Sequence, residues 1–326
     1  MDGLTQFILF LVGGLVVLAF AGDFLVNGAS AMAQRIGVSP LLAGIFIVGF
    51  GTSAPEMVVA LDAAMRGYPE LALGNIVGSN IANVWLVLAL PALMAPIAAG
   101  AVGQRTALIA MLLATAAWII VAAIMPLTLW VGVAFLAGLT GYALYTYLDL
   151  RAAKARGVSI PIDDEDHGLS LGRTIAYLAI GIIGLPLGAN LIVEGGVGLA
   201  AIFSIPEEVV GLTLLAIGTS LPEIGAGIAA VMRKRTEILF GNVLGSNLFN
   251  ILGAGGLVAM FGPIDIVGTF IRYDHWAMAA AALTAALFIL TNSKVSRLAA
   301  VAMLLVYALY IYGLVRGWNV LALFGG

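Results

Sequence analysis

Gly51-Thr52-Ser53-Ala54-Pro55-Glu56 is followed 167 residues later by Gly218-Thr219-Ser220-Leu221-Pro222-Glu223. Each hexapeptide opens a longer passage, residues 51–83 and 218–250, and each passage closes on a second shared pattern. That pattern is Gly74-Asn75-x-x-Gly78-Ser79-Asn80-x-x-Asn83 in the first copy and Gly241-Asn242-x-x-Gly245-Ser246-Asn247-x-x-Asn250 in the second. A constant offset therefore pairs Glu56 with Glu223, Asn75 with Asn242, Ser79 with Ser246 and Asn83 with Asn250. Each copy sets one carboxylate among hydroxyls, glycines and a proline within apolar sequence, which points to an ion site assembled from two halves.

The surrounding chain is 326 residues long, 62% hydrophobic and 10% charged, with a mean hydropathy of +1.12. Soluble domains carry about 25% charged residues, so most of this surface must face a lipid bilayer. A transmembrane helix takes about 20 apolar residues, and the hydropathy predicts ten, at about 6–26, 38–66, 70–96, 105–124 and 127–149, then 173–194, 206–232, 237–261, 272–291 and 296–315. Residues 1–26 read as a first helix rather than a cleaved signal, because they lack a basic start and lead into further spans. The net charge of −3 gives no reason to expect a nucleic-acid partner, and the absence of cysteine excludes disulfides and thiolate metal sites.

The repeat offset carries 105–124 onto 272–291. The fold class expected is thus an all-α polytopic membrane protein: ten transmembrane helices as two five-helix repeats, 1–150 and 172–326, joined by a linker at 151–171. Five spans per half make the second half enter from the opposite side, which is the inverted repeat of secondary transporters. The loops after the odd-numbered spans hold 11 of the 14 Lys and Arg residues; the other side holds only Arg66, Arg272 and Arg316. The positive-inside rule then places the linker in the cytoplasm and both termini outside.

Proline lacks an N–H and clashes with the preceding turn, so helices are expected to break at Pro55 and Pro222 and to free carbonyls near 49–52 and 216–219. Such groups survive in hydrocarbon only when satisfied or lining a wet cavity. Thr52, Ser53, Thr219 and Ser220 stand beside them. Hydroxyls, carbonyls and carboxylates are hard oxygen ligands that suit Ca²⁺ and Na⁺. A single copy would read equally well as a proline kink with a structural hydroxyl. Two glutamates at equivalent mid-membrane points, each costing at least ~2.5 kcal/mol, are not explained by packing.

Asn75, Ser79 and Asn83 fall on one helix face, as do Asn242, Ser246 and Asn250. Ser79, Asn83, Ser246 and Asn250 are the better ligand candidates; Asn75, Asn80, Asn242 and Asn247 read as interhelical polar contacts. The Gly74/Gly78 and Gly241/Gly245 pairs allow close helix approach. Asp23 and Asn190 are equivalent and are expected near the ends of the first and sixth helices. Asp62 has Ala229 as its equivalent and falls outside the paired site. The acidic run at 163–166 reads as solvated linker, His275 as interfacial, and Trp85, Trp118, Trp130, Trp276 and Trp318 mostly as interfacial anchors.

These motifs resemble the α-repeats of the Ca²⁺:cation antiporter superfamily, the sodium/calcium exchangers, and the short linker looks like that of the prokaryotic members. The resemblance covers both halves in order. It implies Ca²⁺/Na⁺ antiport by alternating access in a prokaryotic inner membrane. It also implies a site where the second, third, seventh and eighth helices cross, with ligands Thr52, Ser53, Glu56, Ser79, Asn83, Thr219, Ser220, Glu223, Ser246 and Asn250 and the carbonyls of Gly49 and Ala216. Some members carry Asp where this chain has Asn250, which leaves stoichiometry and K⁺ dependence open.

Glu56 and Glu223 together carry about −2, matched by one Ca²⁺ or by two Na⁺, so competition between the ions is the expected coupling. The first and sixth helices would move past a fixed core. Protons could neutralise the same carboxylates, which keeps H⁺-coupled exchange as an alternative. An intramembrane enzyme lacks support: there is no G-x-S-x-G, no cysteine and no histidine near the motifs. A channel would not need ion-dependent charge compensation. The expected cargo is Ca²⁺ and Na⁺, with no cofactor.

Overall fold

The structure is a computed structural model that describes residues 3–67, 69–155, 169–203, 218, 220–266 and 273–318. Its first five helices are α1 (Gly3–Ile36), α2 (Pro40–Met65), α3 (Pro69–Met94), α4 (Gln104–Ile124) and α5 (Leu129–Ala155). The second five are α6 (Leu171–Ile202), α7 (Leu221–Met232), α8 (Thr236–Ala259), α9 (His275–Leu290) and α10 (Arg297–Val315). Eight are long and apolar enough to cross a membrane; α7 and α9 are shorter apolar helices among the described residues. Serine N-caps start α2, α6 and α10, where Ser39, Ser170 and Ser296 accept from Leu42, Arg173 and Ala299. Each satisfies an amide that a helix start leaves unpaired.

The loops meet in a way that bears on the inverted arrangement. After α3, β1 (Ile97–Ala98) pairs antiparallel with β2 (Lys294–Val295), which follows α9. On the other face, Leu127 after α4 bridges Ile264 after α8. Odd-numbered loops touch odd, and even touch even. Ten crossings in two inverted five-helix repeats have that parity.

Burial separates core from periphery. In the most apolar stretches of α3 and α8, 83% and 94% of residues are buried, against 28% and 22% in α1 and α6. Leu9, Val12, Leu15 and Phe20 lie along the exposed side of α1, as a lipid-facing surface does. The α1 and α6 helices pack on one another along a seam of glycines. A Cβ on Gly14 would stand 2.7 Å from the Gly188 carbonyl, and one on Gly181 2.4 Å from Leu25 Cβ.

The long pair departs from expectation. The sequence predicts 6–26 and 173–194, whereas α1 runs ten residues further and α6 eight. The stretch Asn27-Gly28-Ala29-Ser30-Ala31 looks like a helix stop. Its small residues are instead packing surface: a Cβ on Gly28 would lie 2.9 Å from Leu178 N. At 34 residues, α1 is about 51 Å long and must tilt or protrude from a core about 30 Å thick.

Four further expectations are corrected. Pro55 does not break α2; the helix passes through a π-helical stretch, Gly44–Gly49, and stays α-helical from Phe50 to Met65. Pro222, by contrast, lies in the first turn of α7, where a missing N–H costs nothing. His275 is buried rather than interfacial, accepting from Trp118 Nε1 at 3.2 Å, and Asp274 beside it accepts from Tyr310 Oη at 2.8 Å. Trp118 and Trp85 are core residues, leaving Trp130, Trp276 and Trp318 exposed. Finally, Asp23 sits inside α1 rather than near its end. The acidic run at 163–166 lies outside the described residues.

Candidate cation site

The two copies of the repeated passage meet where α2 and α3 cross α7 and α8. Glycine makes the crossing possible: a Cβ on Gly241 would stand 2.3 Å from the Leu41 carbonyl, and one on Gly245 2.5 Å from the Ile45 carbonyl. Backbones at that distance bring the polar faces of opposite halves into contact. Thr52, Ser53, Glu56, Ser79, Asn83, Ser220, Glu223, Ser246 and Asn250 are all buried, none more than 5% exposed, and Gly49 is buried with them. Thr219 and Ala216 lie outside the described residues.

Contacts between the halves are direct. Ser53 Oγ donates to Glu223 Oε1 at 3.2 Å. Glu56 of α2 and Glu223 of α7 are buried together at this crossing, near enough for their charges to repel. Thr52 Oγ1 bonds the Val48 carbonyl at 3.0 Å and Asn242 Oδ1 at 3.1 Å. Ser246 Oγ reaches the Gly49 carbonyl at 3.4 Å, and Asn83 Nδ2 donates to Asn247 Oδ1 at 3.0 Å. Glu223 stands in the first turn of α7, where the helix dipole favours a negative charge.

Many oxygens here have no partner among the described residues. Glu56 Oε2, Glu223 Oε2, Ser220 Oγ, Asn83 Oδ1 and Asn250 Oδ1 are buried and make no hydrogen bond. Buried polar atoms are nearly always paired, and leaving one unpaired costs ~1–3 kcal/mol. Two carboxylates, hydroxyls, amide oxygens and backbone carbonyls, with no sulfur or imidazole among them, form a set that matches a hard cation. No cluster of three or more His, Cys, Asp or Glu exists among the described residues, so neutral oxygens must complete any such coordination.

Three π-helical stretches, Gly44–Gly49, Asn83–Val87 and Phe249–Ala254, border the site. Gly49, Asn83 and Asn250 all lie in them. A π turn widens the helix and frees backbone groups, and such turns are frequent at functional sites. Nothing in the residue pattern announces them. Asn242 makes the interhelical contact the sequence suggests: its Oδ1 accepts from Thr52 of α2 and from Ser246 of its own helix, and so orients two candidate ligands. Its repeat mate Asn75 keeps the structural role, donating to the Glu56 carbonyl at 3.0 Å. Asn80 bonds the Ile76 carbonyl of its own helix.

A family model described as sodium/calcium exchanger protein matches residues 6–148 and 173–316, nearly the whole of both halves. The chain belongs to the sodium/calcium exchanger family. Exchangers are transporters rather than catalysts. This exchanger is 34% identical to the inner membrane protein YrbG of Escherichia coli over 78% of its own length and 80% of the relative's. It is 27% identical to the sodium/calcium exchanger MaX1 of Methanosarcina acetivorans, over 94% and 98%. It also superposes on the solved sodium-calcium exchanger NCX_Mj with a TM-score of 0.77 at 29% identity, over 96% of this exchanger and 99% of that chain.

Proposed function

We propose that this protein exchanges Ca²⁺ for Na⁺ across a prokaryotic cytoplasmic membrane by alternating access. The observation that carries the reading is the burial together of Glu56 and Glu223, one from each half, beside buried oxygens that have no partner among the described residues. The transported ions are substrates, held by Glu56 and Glu223 with Thr52, Ser53, Ser79, Asn83, Thr219, Ser220, Ser246 and Asn250 and the carbonyls of Gly49 and Ala216. Asn242 is a positioning residue for Thr52 and Ser246. The halves are residues 1–150 and 172–326. The basic residues of the odd-numbered loops support a cytoplasmic linker at 151–171 and external termini.

Exchange follows from charge. Two buried carboxylates facing each other are costly to carry empty through a low-dielectric barrier. One Ca²⁺ neutralises them, and so do two Na⁺. Each ion therefore permits the site to change sides, and neither can ride with a full complement of the other. The test is ⁴⁵Ca²⁺ flux in proteoliposomes with Na⁺, K⁺ and H⁺ gradients imposed separately. Uptake should follow the outward Na⁺ gradient alone. Uptake driven by a pH gradient without Na⁺ would replace this reading with proton coupling, and a K⁺ requirement would add a third ion.

The neutral Asn250 sets the count. Asn250→Asp adds a third carboxylate, so one Ca²⁺ no longer balances the site. The variant should move more than two Na⁺ per Ca²⁺ and, because its Ca²⁺-loaded site keeps one net charge, should turn over more slowly, measured as paired ²²Na⁺ and ⁴⁵Ca²⁺ fluxes. An unchanged ratio would remove Asn250 from the coordination set.

A further inference from the structure

Asp23 of α1 is held by Arg233 at the end of α7. Nη2 meets Oδ2 at 2.8 Å while Nε meets Oδ1, and Asn27 Nδ2, one turn along α1, bonds the same carboxylate at 3.3 Å. The repeat offset carries these three residues onto Asn190, Arg66 and Glu194. The second set has the same chemistry, one guanidinium, one carboxylate and one amide, with the carboxylate and amide exchanged one turn apart on α6. Yet it is not assembled. Arg66 is paired within α2 to Asp62, at 2.8 Å. Glu194 makes no hydrogen bond or ion pair among the described residues, and it is exposed. Between their two helices opens a cavity of about 500 Å³, with Ala54, Val58 and Val59 of α2 on one wall and Asn190 and Val193 of α6 on the other. Glu56 lines it as well.

The two faces of the molecule are thus in opposite conditions. On the Arg233 face α1 is tied to the core. On the Arg66 face α6 stands away from α2, and the gap leads to the site. In an inverted repeat, what one half does on one face in one state the other half does on the opposite face in the other state. We infer that Arg233–Asp23 and Arg66–Glu194 are alternating latches: when the cavity closes, Arg66 leaves Asp62 for Glu194, supported by Asn190, and Arg233 releases Asp23. Asp62 is the resting partner of Arg66 in the state with the cavity open. The inference rests on the alternating-access reading above.

The chain contains no cysteine, so introduced pairs are unambiguous. In full-length protein in proteoliposomes, Asp23→Cys/Arg233→Cys and Arg66→Cys/Glu194→Cys should each be bridged by a short cleavable bis-thiosulfonate, and reduction should restore transport. In the four-cysteine variant, no single molecule should carry both bridges. A second measurement avoids cross-linking: maleimide labelling of Val59→Cys, which reports the open cavity. Glu194→Gln should raise the labelling rate and Asp62→Asn should lower it, each by about 2- to 5-fold, the range of a partly exposed ion pair. Both bridges in one molecule, a 66–194 pair that never links while 23–233 does, or labelling unmoved by either neutralisation would overturn the latches. Bridging reads geometry without requiring transport. Alternating bridges in a protein that fails to move Ca²⁺ against Na⁺ would sink the exchange reading and leave the latches standing.

Discussion

Na⁺-loaded vesicles carrying Glu223→Gln should take up ⁴⁵Ca²⁺ no faster than vesicles without protein. Glu223 is 1% exposed, begins α7, and touches Ser53 across the repeat boundary. Glutamine keeps its shape and removes half the charge of the site. Losing one member of a buried charge pair costs ~3–5 kcal/mol, more than about a hundredfold in Ca²⁺ affinity. The variant should still fold. Two carboxylates this close repel when no ion is bound, so ion-free Glu223→Gln should melt no lower than wild type. What disappears is the rise in melting temperature that bound Ca²⁺ confers by mass action. Glu56→Gln should behave alike, since the two carboxylates share one environment. Wild-type uptake in either variant would remove these glutamates from the site, whereas a lowered ion-free melting point would make the loss structural.

Gly241→Val should yield no monodisperse protein in detergent. A Cβ there would lie 2.3 Å from the Leu41 carbonyl and 2.8 Å from Gly44 Cα. Both obstacles are backbone, so no rotamer change relieves them, and α2 and α8 must part. That separation spreads to the contacts through which Ser246 reaches Gly49 and Thr52 reaches Asn242. The expected loss exceeds ~4 kcal/mol, the range reserved for overpacked core positions. Gly78→Ala is the control: nothing lies within 4 Å of a Cβ built at Gly78, so it should elute as a sharp peak on size exclusion. A well-behaved Gly241→Val protein with normal uptake would mean that the crossing tolerates a wider gap than the glycines enforce.

The sequence exposes what repeats and leaves hidden what touches. The offset joining Glu56 to Glu223 is enough to establish two halves, because a fixed spacing survives whatever the chain does between. An odd number of spans per half then dictates opposed insertion. Ten apolar segments are legible because a bilayer imposes a minimum length on each. Helix ends are less so. Asn27-Gly28 carries the chemistry of a stop, and only the proximity of Leu178 makes it a seam. The π turns at Gly49, Asn83 and Asn250 leave no periodic signature. Asn242 and Asn75 occupy equivalent positions and serve differently, since only one stands opposite Thr52. Trp118 and His275 find each other 157 residues apart, a pairing that neither local pattern announces.

One consequence of Asn250 reaches beyond the site. A transmembrane voltage does work only on net charge that crosses the barrier. A carrier with two buried carboxylates is neutral with one Ca²⁺ and neutral again with two Na⁺, so the field finds nothing to pull in either stroke. The calcium ratio sustained by such a carrier rises as the square of the sodium ratio and is indifferent to membrane potential. On the proposed exchange of two Na⁺ for one Ca²⁺, a cell that depolarises while keeping its sodium gradient would continue to clear calcium through this protein at the same set point.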